Sequence, residues 1–221
     1  FFLAFDVGGS RYLNKNQKKF NFIENNVLIM YNVFNLIQKN KKKFVFASST
    51  MSNMIHSNYG VLKRIGESYS ESLGGITVKF WNVYGIEKDR EKSHVITDFI
   101  IKAKKYKKIS MLTDGKEKRD FLYSEDCCAG LELIMSNYNY YKKEKEIHLT
   151  TTNFTSIIEI ANIIKKKFLK QGINIKIIKS KKKDTLQFNQ QNKANKFFLK
   201  YWKPKYSLKE GISEIISFYL K

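Results

Sequence analysis

The chain has 221 residues and a formal net charge of +21, yet 43% of its residues are hydrophobic and 14% are aromatic. This apolar content is typical of a folded globular protein and argues against a disordered one, and no apolar run reaches the ~20 residues of a membrane-spanning helix. Only four of the 41 basic residues are arginines and the lysines come in runs, which favours solvated surface over a specific nucleic-acid or membrane site.

The first half of the chain alternates strand-like and helical patterns. It begins with Phe1–Phe5, which predicts a short buried strand, and a loop at Asp6–Ser10. A helical spacing of apolar residues starts at Phe22. The pattern then predicts a strand at Phe44–Ser48, a connection at Met51–Asn58, a helix from Tyr59 to Leu73 ended by two glycines, and a buried strand at Ile76–Trp81. Such alternation predicts an α/β protein with a parallel, doubly wound sheet.

The second half follows a charged loop at Glu87–Ser93. Its patterns predict helices at His94–Lys105, Asp126–Asn137, Ser156–Leu169 and Leu208–Leu220, and strands at Ile109–Leu112, Phe121–Tyr123, Ile147–Thr151 and Ile173–Ile178. The adjacent Cys127 and Cys128 lack metal-ligand spacing, as do the three histidines, so no metal site is predicted. Buried thiols and the lack of a visible secretory signal indicate a reducing, cytoplasmic location.

The stretch around residues 44–63 carries the chemistry. Its strand ends in Ser48, Ser49 and Thr50, and Tyr59 and Lys63 follow four residues apart on a predicted helix, where they share one face. Ligands of open α/β sheets bind at the carboxyl ends of the strands. A tyrosine beside an ammonium is expected to have a lowered pKa, so this group predicts an acid/base for a sugar or alcohol hydroxyl.

Three further motifs appear in order. They are KFWNVYG at residues 79–85, DGKEKRDFLYSED at residues 114–126 and YWKPKYSLKEG at residues 201–211. Together with the serines and Tyr-x-x-x-Lys, they resemble the extended branch of the short-chain dehydrogenase/reductase superfamily. More narrowly, the chain resembles the NAD-dependent nucleotide-sugar epimerases and dehydratases typified by UDP-glucose 4-epimerase.

The resemblance implies a role for individual residues. Ser49 would bind the substrate hydroxyl, with Ser48 or Thr50 as alternatives, Tyr59 would be the acid/base, and Lys63 would bond the nicotinamide ribose. It implies cofactor-binding residues Leu3, Ala4, Asn26, Ser48, Tyr59, Lys63 and Phe80, and substrate-binding residues Ser49, Asn82 and Arg119. The implied cofactor is NAD, with NADP as the alternative, the implied partner is a nucleotide-diphosphate sugar, and a homodimer is left open.

One departure narrows the reaction. The dehydratases of this family have Asp-Glu after the catalytic hydroxyl, where this chain has Thr50 and Met51. Neither side chain can do acid/base work at carbon, so the resemblance implies an NAD(P)-dependent epimerase or 4-ketoreductase. His94 is left open as a residue near the substrate. The alternatives are an inactive remnant of such an enzyme and, least favoured, a basic nucleic-acid-binding protein.

The glycine fingerprint G-x-G-x-x-G does not occur in the sequence. We therefore expect a partial, Rossmann-like sheet that lacks its first βαβαβ unit, with residues 1–85 as the remaining nucleotide-binding domain. Residues 86–221 would form a smaller α/β substrate lobe, with some elements returning to the first domain. We also expect weak or no NAD binding and an exposed sheet edge next to Phe1–Phe5 and the Phe44–Ala47 strand.

Overall fold

The computed structural model describes residues 1–184 and 193–221. Helices α1 to α8 span Ser10–Asn16, Phe20–Asn40, Asn58–Ser72, Val95–Tyr106, Ser124–Ser136, Tyr138–Tyr141, Ile157–Leu169 and Leu208–Leu220. Strands β1 to β8 span Val45–Ser49, Ile76–Phe80, Asn82–Tyr84, Lys108–Ser110, Lys118–Tyr123, Ile147–Leu149, Phe154–Ser156 and Lys176–Ile178. Short 3-10 helices cover Thr50–Asn53 and Phe197–Lys200.

The first sheet has the order β1-β2-β6, and its strands are parallel. All five residues of β1 are buried, as expected for a parallel strand covered on both faces. Helices α2 and α3 contribute to the apolar cluster on one face, and α5, α6 and the second 3-10 helix contribute to the cluster on the other. The chain is therefore an α/β protein with a parallel sheet and helices on both faces, as the sequence predicted.

The second unit is built from short strands. Strand β5 pairs with β3 in parallel and with β7 antiparallel, while β4 and β8 form a separate parallel pair. Helices α4, α7 and α8 pack over these strands around an isoleucine-rich cluster. Five apolar side chains of α7 are buried in this cluster: Ile157, Ile160, Ala161, Ile164 and Phe168.

Helix ends follow local capping chemistry. Ser156 caps α7 through a capping box with Glu159, and Ser207 caps α8 through a capping box with Glu210. Helix α7 therefore begins one residue later than predicted, and α8 begins where predicted.

The sequence patterns missed α1, α6, β3 and β7. Each of these elements has no more than seven residues, too few to show a period.

The amino-terminal segment differs from its prediction as a buried strand. It makes one parallel bridge, Phe2 to Phe46, in which the Phe2 amide donates to the Val45 carbonyl oxygen and the Phe2 carbonyl oxygen accepts from the Ala47 amide. Phe2 is buried, but Phe1 is 56% exposed and Leu3 is 49% exposed. Strand β1 lies between this segment and β2, so the edge on this side of the sheet lies at residues 1–5, and the Phe44–Ala47 strand is covered by that segment.

Helix α5 carries both cysteines. Both are free; Cys127 is buried and Cys128 is exposed, and burial raises the pKa of Cys127 to about 12. Within residues 1–184 and 193–221, no helix is long and apolar enough to cross a bilayer. Those residues also contain no cluster of three or more His, Cys, Asp or Glu side chains placed to hold a metal ion.

Candidate active site

The end of β1 brings together the serine, tyrosine and lysine that the sequence singled out. The strand finishes at Ser49, a 3-10 turn follows, and α3 begins after its cap Ser57, whose side chain accepts a hydrogen bond from the Gly60 amide. Ser49 Oγ accepts from the Met51 amide at 3.1 Å and is also a hydrogen-bond partner of the Tyr59 side chain. The hydroxyl pair therefore sits at the carboxyl end of a central parallel strand, where ligands of such sheets bind.

Lys63 lies one helical turn beyond Tyr59 and is only 4% exposed. Its Nζ donates to the Ala47 carbonyl oxygen at 2.7 Å. Three aromatic rings surround the same nitrogen, with centroids at 3.8 Å for Phe5, 5.2 Å for Phe46 and 5.9 Å for Tyr59. Burial lowers the pKa of Lys63 to about 7, although the charge of Glu67 opposes the shift.

Tyr59 does not have the lowered pKa that the sequence pattern predicted. Burial raises the pKa of Tyr59 to about 12, and the hydrogen bond with Ser49 offsets only part of this effect. The ammonium was expected to favour the phenolate, but Lys63 is itself buried and loses its proton near neutral pH. In this structure desolvation outweighs the expected stabilisation by charge.

Charged residues beneath the site form a network that sequence reasoning missed. Ser48 Oγ donates to Glu67 Oε1 at 2.5 Å, and Glu67 also pairs with Arg64 at 3.0 Å. Lys79 Nζ lies 3.7 Å from the same Glu67 oxygen and 2.7 Å from Glu146 Oε2. A lysine in the otherwise uncharged strand β2 was the sequence signal for this network, and it is only 2% exposed.

The other predicted cofactor residues lie around the same strand ends. Leu3 and Ala4 are exposed just beyond the Phe2 bridge, and Phe80 is partly buried opposite Ser49 in the β1–β2 register. Asn26 is fully buried: its Oδ1 accepts from the Asp6 amide at 2.7 Å and its Nδ2 donates to the Asp6 carbonyl oxygen at 3.2 Å. These two hydrogen bonds hold the segment that carries Leu3 and Ala4.

The predicted substrate residues, Asn82 and Arg119, line one cavity of about 680 Å³. Asn82 Nδ2 donates to the Asp120 carbonyl oxygen at 3.2 Å, and Arg119 forms an ion pair with Asp184 on the cavity wall. Further basic side chains in the lining are Arg11, Lys182 and Lys183. Ser49, Tyr59 and Lys63 are not among the described residues that line it, so the structure groups the predicted residues into a strand-end site and a cavity.

His94 also lines this cavity, at the start of α4. Its Nδ1 lies 2.6 Å from Glu87 Oε1, and its backbone amide donates to Glu87 Oε2 at 2.9 Å. Burial would raise the pKa of Glu87, but the hydrogen bond and charge of His94 lower it overall. The Glu87 carboxylate fixes the orientation of the His94 ring. This pairing could not be predicted from the sequence, because His94 stands in no local motif.

The chemistry of the strand-end site suits the nicotinamide end of a dinucleotide. Lys63 offers ammonium donors and Tyr59 a hydroxyl beside the Ser49 hydroxyl, which matches the hydroxyl groups of a nicotinamide ribose and a sugar. The glycine loop at residues 8 and 9 offers no phosphate cradle among the described residues. A Cβ on Gly9 would lie 2.5 Å from the Ser93 carbonyl oxygen, so the loop is packed against the chain itself.

Comparison with known proteins gives a consistent picture. The model of the NAD dependent epimerase/dehydratase family matches residues 6–149. A Methanocaldococcus jannaschii protein provisionally named UDP-glucose 4-epimerase is 30% identical over 168 residues, covering 73% of this chain and 52% of that protein. GDP-L-fucose synthase of Sinorhizobium fredii is 31% identical over 119 residues, covering 48% of this chain and 37% of that protein.

Solved structures share the fold. An epimerase of Methanothermobacter thermautotrophicus superposes with a TM-score of 0.82 at 19% identity, covering 99% of this chain and 70% of that one. The chain spans about half the length of the M. jannaschii relative and less of the S. fredii relative.

Proposed function

The chain belongs to the NAD dependent epimerase/dehydratase family, and we propose that it acts on a nucleotide-diphosphate sugar as an epimerase or 4-ketoreductase. The observation that carries this proposal is the placement of Ser49, Tyr59 and Lys63 at the carboxyl end of β1. NAD, or NADP as the alternative, would supply the hydride acceptor and donor when bound. Lys63 and Tyr59 are the residues that would hold its nicotinamide ribose.

The cavity supports a diphosphate substrate. Arg119 offers a planar, bidentate donor, and Arg11, Lys182 and Lys183 add positive charge along the same wall. Asn82 adds an amide within the same lining. The substrate's diphosphate would replace the Asp184 carboxylate as the partner of Arg119, and the sugar would extend toward the end of β1.

Proton transfer is assigned to Tyr59. Ser49 Oγ orients the Tyr59 side chain, and the two groups together can hold a sugar hydroxyl. Tyr59 would take the proton of that hydroxyl as the phenolate and return it as the phenol. Thr50 and Met51 are both buried and neither is an acid or base, which disfavours dehydration. His94, held by Glu87 on the cavity wall, is a further side chain that would lie beside the bound substrate.

A second copy of the chain is the proposed protein partner. Exposed apolar side chains lie on the two adjacent helices α2 and α3, at Val27, Leu28, Tyr31, Val61, Ile65 and Tyr69. Pairing this face with its counterpart in a second copy would remove a patch of apolar surface from water. We therefore propose a homodimer through α2 and α3.

The experiment is a turnover assay of the natural gene product with NAD or NADP and a panel of nucleotide sugars. Nicotinamide absorbance reports reduction, and NMR of the sugar reports epimerisation. Tyr59→Phe is expected to abolish turnover and leave nucleotide-sugar binding nearly intact, because the ring packing stays and only the proton-transfer group is lost. Tyr106→Phe, at an exposed position of α4 outside the proposed dimer face, is the matched control. Near-normal turnover by Tyr59→Phe would contradict the assignment.

A further inference from the structure

The side chain of Phe5 covers the ammonium of Lys63. The ring centroid lies 3.8 Å from Nζ, and the same ring packs edge-on against Tyr59 with centroids 5.9 Å apart. An ammonium at this distance is in contact with the ring face. Phe5 therefore touches both residues of the proposed acid/base pair.

The surroundings of Nζ leave little room for a ligand. One donor is taken by the Ala47 carbonyl oxygen, and Phe46 and Tyr59 lie on other sides. A hydrogen-bonded ligand atom must come within about 3 Å of the nitrogen, and Phe5 occupies one of these approaches. Phe46 is fully buried in the core, whereas Phe5 is only partly buried, so Phe5 is the ring that can move.

The backbone on either side of Phe5 is fixed. Phe2 is bonded to β1 on one side, and Asp6 is held by Asn26 on the other. Opening therefore requires rotation of one side chain and not displacement of the segment. Side-chain rotation is fast compared with the movement of a loop.

We infer that Phe5 is a positioning residue and a displaceable cap, which holds the Lys63 ammonium within an aromatic enclosure and must rotate away before a ligand hydroxyl can reach it. This inference rests on the proposed role of Lys63 as the ribose-binding residue. The cap has a chemical consequence as well as a steric one. While the cap is closed, the Lys63 amine is kept from water and Tyr59 has no hydrated charge beside it. When the cap opens, water reaches the amine and its hydrated charge lies beside Tyr59.

The test is amine labelling of the 221-residue chain with limiting acetic anhydride, followed by peptide mass mapping at Lys63. In the wild type, Lys63 is expected to react far more slowly than exposed lysines. Phe5→Ala is expected to raise its labelling rate by on the order of tenfold or more, because protection of a buried group follows the population of the open state.

Three controls are built into the chain. Lys79, buried on strand β2 of the same sheet, is the internal reference for folding, and its labelling should stay at the wild-type rate. Phe1→Ala removes an exposed ring from the same segment and should change nothing at Lys63. Phe5→Tyr keeps an aromatic cover and should keep Lys63 protected.

The outcomes are distinct. Wild-type protection of Lys63 in folded Phe5→Ala, or fast labelling of Lys63 in the wild type, would overturn the cap. If Phe5→Ala also exposes Lys79, the milder truncation Phe5→Val decides between loss of the cap and loss of the fold. The labelling needs no turnover, so its failure is separate from a failure of Tyr59→Phe to abolish activity.

Discussion

The ionisation of Lys63 makes folding stability depend on pH. Its folded pKa is about 7, well below the ordinary value, so between about pH 7 and the lysine pKa of about 10.4 the unfolded chain binds a proton that the folded chain has lost. Stability from this group therefore rises with pH across that window. Tyr59 acts in the opposite direction above about pH 10, because its raised pKa keeps the proton in the folded state only.

Lys63→Met tests this effect. From about pH 7 to pH 9.5, the free energy of unfolding of the wild type is expected to rise by roughly 2–4 kcal/mol more than that of the variant. The variant lacks this rise because methionine at position 63 does not titrate. Denaturant unfolding at the two pH values measures the difference. Lys143→Met, at an exposed site, should show the wild-type dependence. An equal pH dependence in Lys63→Met would mean that Lys63 is hydrated in the folded chain.

Arg119 offers a second residue-scale prediction. Arg119→Ala should weaken binding of a nucleoside diphosphate by ~1.5–3 kcal/mol, the range for a hydrogen bond to a charged group. Arg119→Lys should recover only part of this, because lysine cannot make a bidentate contact. Calorimetric titration gives both values, and Arg90→Ala, exposed and outside the cavity lining, is the control. An equal loss of nucleotide and NAD binding would indicate misfolding and not a lost phosphate contact.

Among the elements, β2 is fixed by a buried lysine. Lys79 pairs with Glu67 of α3 and with Glu146 just before β6, and it also contacts Asn53 in the 3-10 turn after Ser49. One side chain thus joins the helix that carries Tyr59 and Lys63 to the turn that follows the strand-end serine. The position of the acid/base pair depends on this pairing as well as on apolar packing.

Removing that charge is expected to destabilise the fold. Lys79→Met leaves the Glu67 carboxylate in the interior without its lysine partner, and we expect a loss of roughly 2–4 kcal/mol, below the full cost of breaking a buried pair because Glu146 is partly exposed. Lys79→Arg keeps the charge and should retain most of the stability. Denaturant unfolding measures both variants. A gain in stability for Lys79→Met would show that the network costs more to bury than it contributes.

The elements also show what the sequence could and could not predict. Ser49 and Tyr59 were predictable because a strand end and a helix face are set by local periodicity, and the structure brings them together. Phe5 and Lys63 are in contact although they lie 58 positions apart in the sequence. No local pattern encodes a contact at that separation. The raised Tyr59 pKa was missed for the same reason, since its cause is burial by residues distant in sequence.

At the scale of the whole molecule, positive charge and exposed apolar surface have opposite effects on self-association. A net charge of +21 favours dispersed chains through repulsion, and this repulsion is screened as salt rises. Two surfaces work against it: the exposed face of α2 and α3, and the sheet edge at Phe1–Phe5. Self-association of the 221-residue chain should therefore increase with ionic strength.

The sheet edge predicts how that association proceeds. Phe2 uses its backbone groups to bond β1, so the neighbouring residues present unpaired backbone toward solvent beside the exposed Phe1 and Leu3 side chains. Such an edge pairs with other chains, and a lysine on it blocks the pairing. Leu3→Lys should therefore reduce salt-dependent growth of large species in light scattering but leave a dimer intact. Ile65→Lys, on the α3 face, should abolish the dimer and leave the growth unchanged. If Leu3→Lys left the scattering as it was, the edge would not be the site of association.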